Sequence, residues 1–148
     1  IKTRNLTLRF IELMQTGDNV DFFARQHLSA ESIRQRLLAD GWTQKLRSIN
    51  AGPAKEYNHP DYKGSIGLIM PYSQDFCASC NRLRVSSQAE LYLCLFAEQH
   101  LSFRDLLQSD DPQPVIQFLQ QAILHKTAGH NLHQQQTGST KQLAMIGG

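Results

Sequence analysis

The 148-residue sequence has three cysteines and no fourth, one tryptophan, five prolines and a formal net charge of only +2. An odd cysteine count leaves at least one thiol outside any disulfide set, so a stapled scaffold is not the organising principle. In a reducing compartment, close-spaced cysteines are more often metal ligands or redox groups. So small a net charge makes no global basic field for nucleic acid, and any anion recognition has to be local. No apolar run approaches the roughly 18 residues of a membrane span, and the opening "IKTRNLTLRF" lacks the continuous apolar core of a signal peptide. These absences point to a cytoplasmic protein with neither membrane nor nucleic acid as partner. An initiator methionine is missing too: Ile1 runs directly into a strand-like segment, as expected of a chain whose front belongs to a larger protein.

What is present describes a globular chain, 41% hydrophobic and 19% charged, of a length that suits a single core. "LTLRFIELM" (6–14) is apolar, partly alternating and stopped by "QTGDN", which predicts a buried strand. "SAESIRQRLLAD" (29–40) opens on a capping signal, Ser29 or Ser32 near Glu31. It spaces Ile33, Leu37 and Leu38 on one helical face and ends at Gly41. Short strands are predicted over 42–48, 54–59 and 65–70, with "NHPDYKG" as the turn between the last two. "RLRV" and "LYLCLF" alternate strongly around the polar "SSQAE", which makes a hairpin. "FRDLL" and "PVIQFLQQAILHK" read as helical, and the Gln-rich remainder as irregular. The fold class is α+β, a largely antiparallel sheet with flanking helices.

The chemistry concentrates in "FCASCNRLRV". Cys77 and Cys80 stand in a CxxC loop, whose sulfurs can converge on one ion or cluster, and the hairpin can return Cys94 to the same place. Three readings compete. A structural zinc site wants a fourth ligand, which one of the six histidines could supply, although none stands at a typical finger spacing. A redox dithiol needs only Cys77 and Cys80 and leaves Cys94 without a role. An iron–sulfur cluster held by three cysteines leaves one iron open to a substrate.

The arginines bear on that choice. On a strand, Arg82 and Arg84 face one side while Leu83 and Val85 face the other. With a loop of Ser87 to Ala89, Ser86 meets Glu90, Arg84 meets Tyr92 and Arg82 meets Cys94. Leu91, Leu93 and Leu95 then share the core face with Leu83 and Val85. Guanidiniums grip phosphate oxygens bidentately, so this surface suits an anion beside a metal, whereas a lone RxR pair reads as a solvated strand face. The six histidines, His27, His59, His100, His125, His130 and His133, have no mutual spacing that makes a site.

"FCASCNRLRVSSQAELYLCLF" resembles the second-cluster motif FCxxCNRLRLTxxGxLxxCLF of the molybdenum cofactor biosynthesis protein A family, the radical S-adenosylmethionine (SAM) enzymes also called GTP 3′,8-cyclases. "LRFIELM", "GPAKEYNHPDYKGSIGLIMPYS" and the terminal "IGG" match in the same order, and the resemblance is weakest over 97–136. It implies the C-terminal part of an incomplete TIM-type barrel enzyme. Residues 1–17 would be the last strand of the truncated radical SAM barrel, and 18–148 a cluster- and GTP-binding domain with a Gly-Gly tail.

By the same resemblance, Cys77, Cys80 and Cys94 hold a [4Fe–4S] cluster whose open iron receives the guanine base. Arg82, Leu83, Arg84 and Arg9 bind GTP, and Met14 lines the SAM pocket. Gly147 and Gly148 reach into the active site and serve catalysis. Read without the resemblance, Met14 is a core residue at a strand end and the two glycines are a terminus. The implied reaction converts GTP to a 3′,8-cyclised nucleotide. A 5′-deoxyadenosyl radical removes the ribose 3′ hydrogen, and the carbon radical attacks C8. The implied partners are the missing N-terminal barrel, a second subunit of a homodimer and cyclic pyranopterin monophosphate synthase. Two departures stand out. The CxxxCxxC motif of the family's SAM-cleaving cluster has no counterpart here, so the chain by itself is expected to be inactive. The hairpin turn carries Ala89 where the family has glycine.

Overall fold

The computed structural model describes residues 1–48, 51–78, 80–139 and 143–146. Where the length suggested one core, the chain forms two compact units, Ile1–Met14 with Phe22–Ser79, and Gln15–Asp21 with Cys80–Gly148. Each has its own buried cluster.

The first unit is built on β1 (Thr7–Ile11), β2 (Thr43–Gln44), β3 (Lys55–Asn58) and β4 (Ser65–Ile69), in the order β1-β4-β3-β2. The sheet is mixed. β1 runs parallel to β4, with Arg9 opposite Gly67, whereas β3 pairs antiparallel with β4 and with β2. α1 (Val20–Gln26), which the sequence reading did not anticipate, and α2 (Ala30–Ala39) follow β1. α2 forms where expected. The Ser29 hydroxyl caps it by accepting from the Glu31 amide, and Gly41 at φ +86° closes it. There Trp42 N–H reaches the Leu37 carbonyl and Gly41 N–H the Leu38 carbonyl, a paired C-terminal arrangement that favours glycine at the left-handed position. Its inner stripe is Ala30, Ile33 and Leu37, packed with Trp42, Tyr57, Leu68 and Met70. Leu38, expected on that face, is exposed, because the next residue along a helix is turned about 100° away. β1 also departs from expectation. All five of its residues are exposed, and among the described strands it pairs with β4 alone.

The second unit contains β5 (Arg84–Val85), β6 (Glu90–Tyr92) and β7 (Leu101–Ser102) in one antiparallel sheet, with α3 (Gln113–Leu124) packed on it. β7 was not foreseen from the sequence. "FRDLL" becomes a 3-10 turn over Arg104–Gln108. Val115, Phe118, Leu119 and Ala122 recur at helical spacing on α3 and meet Leu83, Leu91, Leu93 and Phe103, with Phe118 stacked on Phe103 at 5.6 Å between ring centroids. The tail expected to be irregular contains 3-10 turns at Leu132–Gln134 and Leu143–Ile146, with Leu132 and Ile146 buried. Ser139 N–H donates to the Ala97 carbonyl, tying the tail beside the strand end.

The hairpin register agrees with the sequence reading. Arg84 pairs with Tyr92, Val85 with Leu91, and Ser86 N–H reaches the Glu90 carbonyl at 3.0 Å. The expected Arg82–Cys94 pair is not part of the ladder, and Val85 is exposed rather than on the core face. At the turn, Ala89 sits at φ 61°. This left-handed conformation places an alanine Cβ too close to the following carbonyl, and glycine at the same point would relieve it. Ala89→Gly should therefore raise the denaturant midpoint of the second unit. The gain should be no more than about 1 kcal/mol, because the lost methyl contact offsets part of it. A lowered midpoint in chemical unfolding would refute the turn assignment.

Candidate functional site

In the second unit the candidate residues gather around the start of the hairpin. Arg82 and Cys80 are exposed, while Arg84 and Cys94 are half-buried. Burial pushes the Arg84 guanidinium below its ordinary value. The thiols of Cys80 and Cys94 act in the opposite direction, and the charge of Arg82 adds to the lowering. Arg84 thus lies within electrostatic reach of two thiols and a second guanidinium. The Phe96 amide donates to the Cys94 sulfur at 3.5 Å. Leu83, between the two arginines, packs on the core and anchors their backbone. Among the described residues, no carboxylate pairs with either arginine.

Cys94 also lines a cavity of about 790 Å³ with Phe96, His125, His130 and Asn131. His130 accepts the Leu132 N–H at Nδ1, so its neutral ring carries the proton on Nε2.

The first unit holds Arg9, Met14 and Cys77. Arg9 on β1 is engaged, with Nη2 donating to Glu56 Oε1 at 3.0 Å and its stem lying over Gly67. Met14 and Cys77 are half-buried. Gly147 and Gly148 lie outside the described residues.

No disulfide involves Cys77, Cys80 or Cys94. Thiols are the donors an iron–sulfur cluster takes, and in the second unit an amide is aimed at the Cys94 sulfur with the Arg84 guanidinium near Cys80 and Cys94. Among the described residues, no three His, Cys, Asp or Glu side chains are grouped closely enough to hold a metal ion.

Two features escaped the sequence reading. Glu12 is buried at the end of β1, and His27 Nε2 lies 3.0 Å from its carboxylate, with Phe23 stacked on the imidazole and Tyr72 at its edge. Residues fifteen apart carry no spacing signal for such a pair. Lys126, just past α3, donates through Nζ to the carbonyls of Arg82 and Leu93. A lysine at a helix end carries no such sign in the sequence.

The family model for Molybdenum Cofactor Synthesis C matches residues 6–132. The chain belongs to this family. Curated relatives named GTP 3′,8-cyclase are 53% identical in Vibrio parahaemolyticus, 52% in Edwardsiella ictaluri and 52% in Haemophilus ducreyi, each match covering all of this chain. It covers 45%, 45% and 44% of those proteins, so this member spans a little under half the length of the relatives it matches.

A separate cavity of about 520 Å³ in the first unit is lined by Glu12, Glu31, Arg34, Lys55, Tyr72 and Asp75 among others. Its charges are mutually satisfied. Arg34 forks onto both Glu31 oxygens at 2.6 and 2.7 Å, and Lys55 grips Asp75 at 2.7 Å. Hydrogen bonds from Arg34 and then Gln35 lower the Glu31 carboxyl from 4.5 to about 2, and Lys55 lowers Asp75. A depressed folded-state value means that the Glu31 contribution is complete above its ordinary range and fades as pH falls from about 4.5 toward 2. Glu31→Gln should therefore show a small deficit in melting temperature at neutral pH, small because the pair is solvent-screened. That deficit should close as pH falls through the same window, and a gap independent of pH would contradict the assignment.

Proposed function

We propose that this chain is the substrate-side part of a GTP 3′,8-cyclase, an enzyme converting GTP to (8S)-3′,8-cyclo-7,8-dihydroguanosine triphosphate in molybdenum cofactor synthesis. One observation carries the reading: Arg82 and Arg84, beside Cys80 and Cys94, have no carboxylate partner among the described residues. Arg9 and Arg34 in the first unit do have partners, Glu56 and Glu31. A half-buried guanidinium with no carboxylate partner, that of Arg84, is costly unless an anion completes it, and the exposed Arg82 stands beside it. A triphosphate does so through bidentate contacts.

Cys77, Cys80 and Cys94 would hold a [4Fe–4S] cluster, which with three protein ligands supplies an open iron for the guanine base. Arg82 and Arg84 neutralise the phosphates, and Leu83, fixed in the core, keeps their backbone from yielding. Base and phosphates are thus held at two ends, which keeps the ribose 3′ carbon in register with C8. Orientation of this kind removes much of the entropy cost of ring closure. Arg9 adds a contact by exchanging Glu56 for phosphate. Met14 borders the SAM site, and Gly147 and Gly148 let a bare backbone reach the nucleotide. SAM cleavage belongs to the part of the relatives that this chain does not span.

Purified without oxygen and reconstituted, the chain should carry about four iron and four sulfide per molecule; stoichiometric zinc without sulfide would sink the cluster assignment in favour of a zinc-stabilised binding module. Arg82→Glu, at an exposed position, should weaken GTP binding by at least about tenfold with iron and sulfide retained. Unchanged affinity would remove the arginines from the nucleotide site. With GTP, SAM and a reductant the chain alone should yield no cyclised product, and product detected by mass spectrometry would refute the division of labour.

A further inference from the structure

We propose that Lys126 is a positioning residue for the nucleotide site, an inference that rests on the GTP reading above. The β5–β6 ladder ends at Arg84 and Tyr92. Beyond it, toward Arg82 on one side and Cys94 on the other, the strands no longer exchange ladder bonds. At that point the Lys126 ammonium donates to the Arg82 carbonyl at 3.1 Å and to the Leu93 carbonyl. Arg82 lies two residues from Cys80 and two from Arg84, and Leu93 directly precedes Cys94. One side chain therefore ties the segment carrying both guanidiniums to the segment carrying the third thiol.

The lysine is itself held in place. α3 is anchored through Val115, Phe118, Leu119 and Ala122 on the cluster that contains Leu83, Leu91 and Leu93. Its end tightens as His125 N–H and Lys126 N–H bond back to Ala122 and Ile123, each at 3.0 Å. The ammonium thus leaves a fixed helix end and meets two carbonyls separated from it by 44 and 33 residues. Charge-assisted donation to both carbonyls resists splaying of the strands, and it sets the spacing between the Arg84 guanidinium and the Cys94 sulfur. Its charge, beside those of Arg82 and Arg84, also favours an anion there.

A lysine that only satisfied two carbonyls would affect stability alone. A positioning lysine affects the nucleotide site of a protein that is still folded. The comparison is Lys126→Met against Lys126→Arg in the anaerobically reconstituted chain. Readouts are iron and sulfide content, GTP affinity well below the melting temperature, and the electron paramagnetic resonance spectrum of the reduced cluster with and without GTP. Lys126→Met should keep iron and sulfide, bind GTP about tenfold more weakly and show an altered GTP-dependent spectrum. Lys126→Arg, which keeps charge and donors, should recover most of the affinity. Should the methionine variant not fold, Lys126→Gln, with an amide donor of shorter reach, serves the same comparison. Wild-type affinity and spectrum with only a lowered melting temperature would overturn the proposal and leave Lys126 a structural strut. A wild-type chain that takes up its cluster but binds no GTP would overturn the parent reading, and this inference with it.

Discussion

Two residue pairs of ladder, Arg84 with Tyr92 and Val85 with Leu91, set the register on which the candidate site depends. Because side chains alternate across a strand, a slip of one residue would exchange the face bearing Arg82 and Arg84 with the face bearing Leu83. So short a ladder cannot hold that register by itself. It is fixed at one end by the Ser86–Ala89 turn, with Ala89 left-handed, and underneath by Leu83, Leu91 and Leu93 on the core shared with α3. At the open end, where the backbone bonds stop, Lys126 takes the carbonyls of both segments. The turn, the core and one ammonium together do what a longer sheet would do, and leave the segments of Arg82 and Cys94 free of ladder bonds.

The distribution of charge divides the cations by role. Arg34, Lys55 and Arg9 in the first unit each grip a carboxylate, and the cavity there, lined by Glu12, Glu31 and Asp75 against Arg34 and Lys55, offers no surplus positive charge to an anion. In the second unit Arg82 and Arg84 have no carboxylate among the described residues, and Arg84 bears a desolvation penalty beside two thiols. A near-neutral formal charge over the whole chain thus leaves room for a local pair of cations beside the thiols. That pair is what the proposed nucleotide site rests on.

Several parts of this architecture were legible in the sequence because they are local. The cap at Ser29, the left-handed exit at Gly41 and the apolar stripe of α3 each follow from residues within a turn or two of one another. The hairpin register was legible for the same reason, since a three-residue loop and strict alternation admit few alternatives. The misreadings were non-local. β1 has the composition of a buried strand yet is an exposed edge, because composition does not say which elements will cover it. Leu38 was placed on the inner face of α2 because Ile33, Leu37 and Leu38 alone cannot distinguish a stripe of Ala30, Ile33 and Leu37 from one rotated by a single residue.

For function, the sequence by itself determined the chemical inventory: three cysteines at CxxC and hairpin spacing, arginines two apart on one strand face, and motifs in the order of a known family. Spacing along a strand or a helix is a covalent property, and it survives whatever the rest of the chain does. Tertiary structure alone decided which charges are already spent. Glu56 engages Arg9, and among the described residues no comparable carboxylate reaches Arg82 or Arg84. Glu12 meets His27, and Lys126 closes the open end of the hairpin from more than thirty residues away. Those pairings depend on distances of about 3 Å between groups with no fixed relation in sequence, and only packing can set such distances.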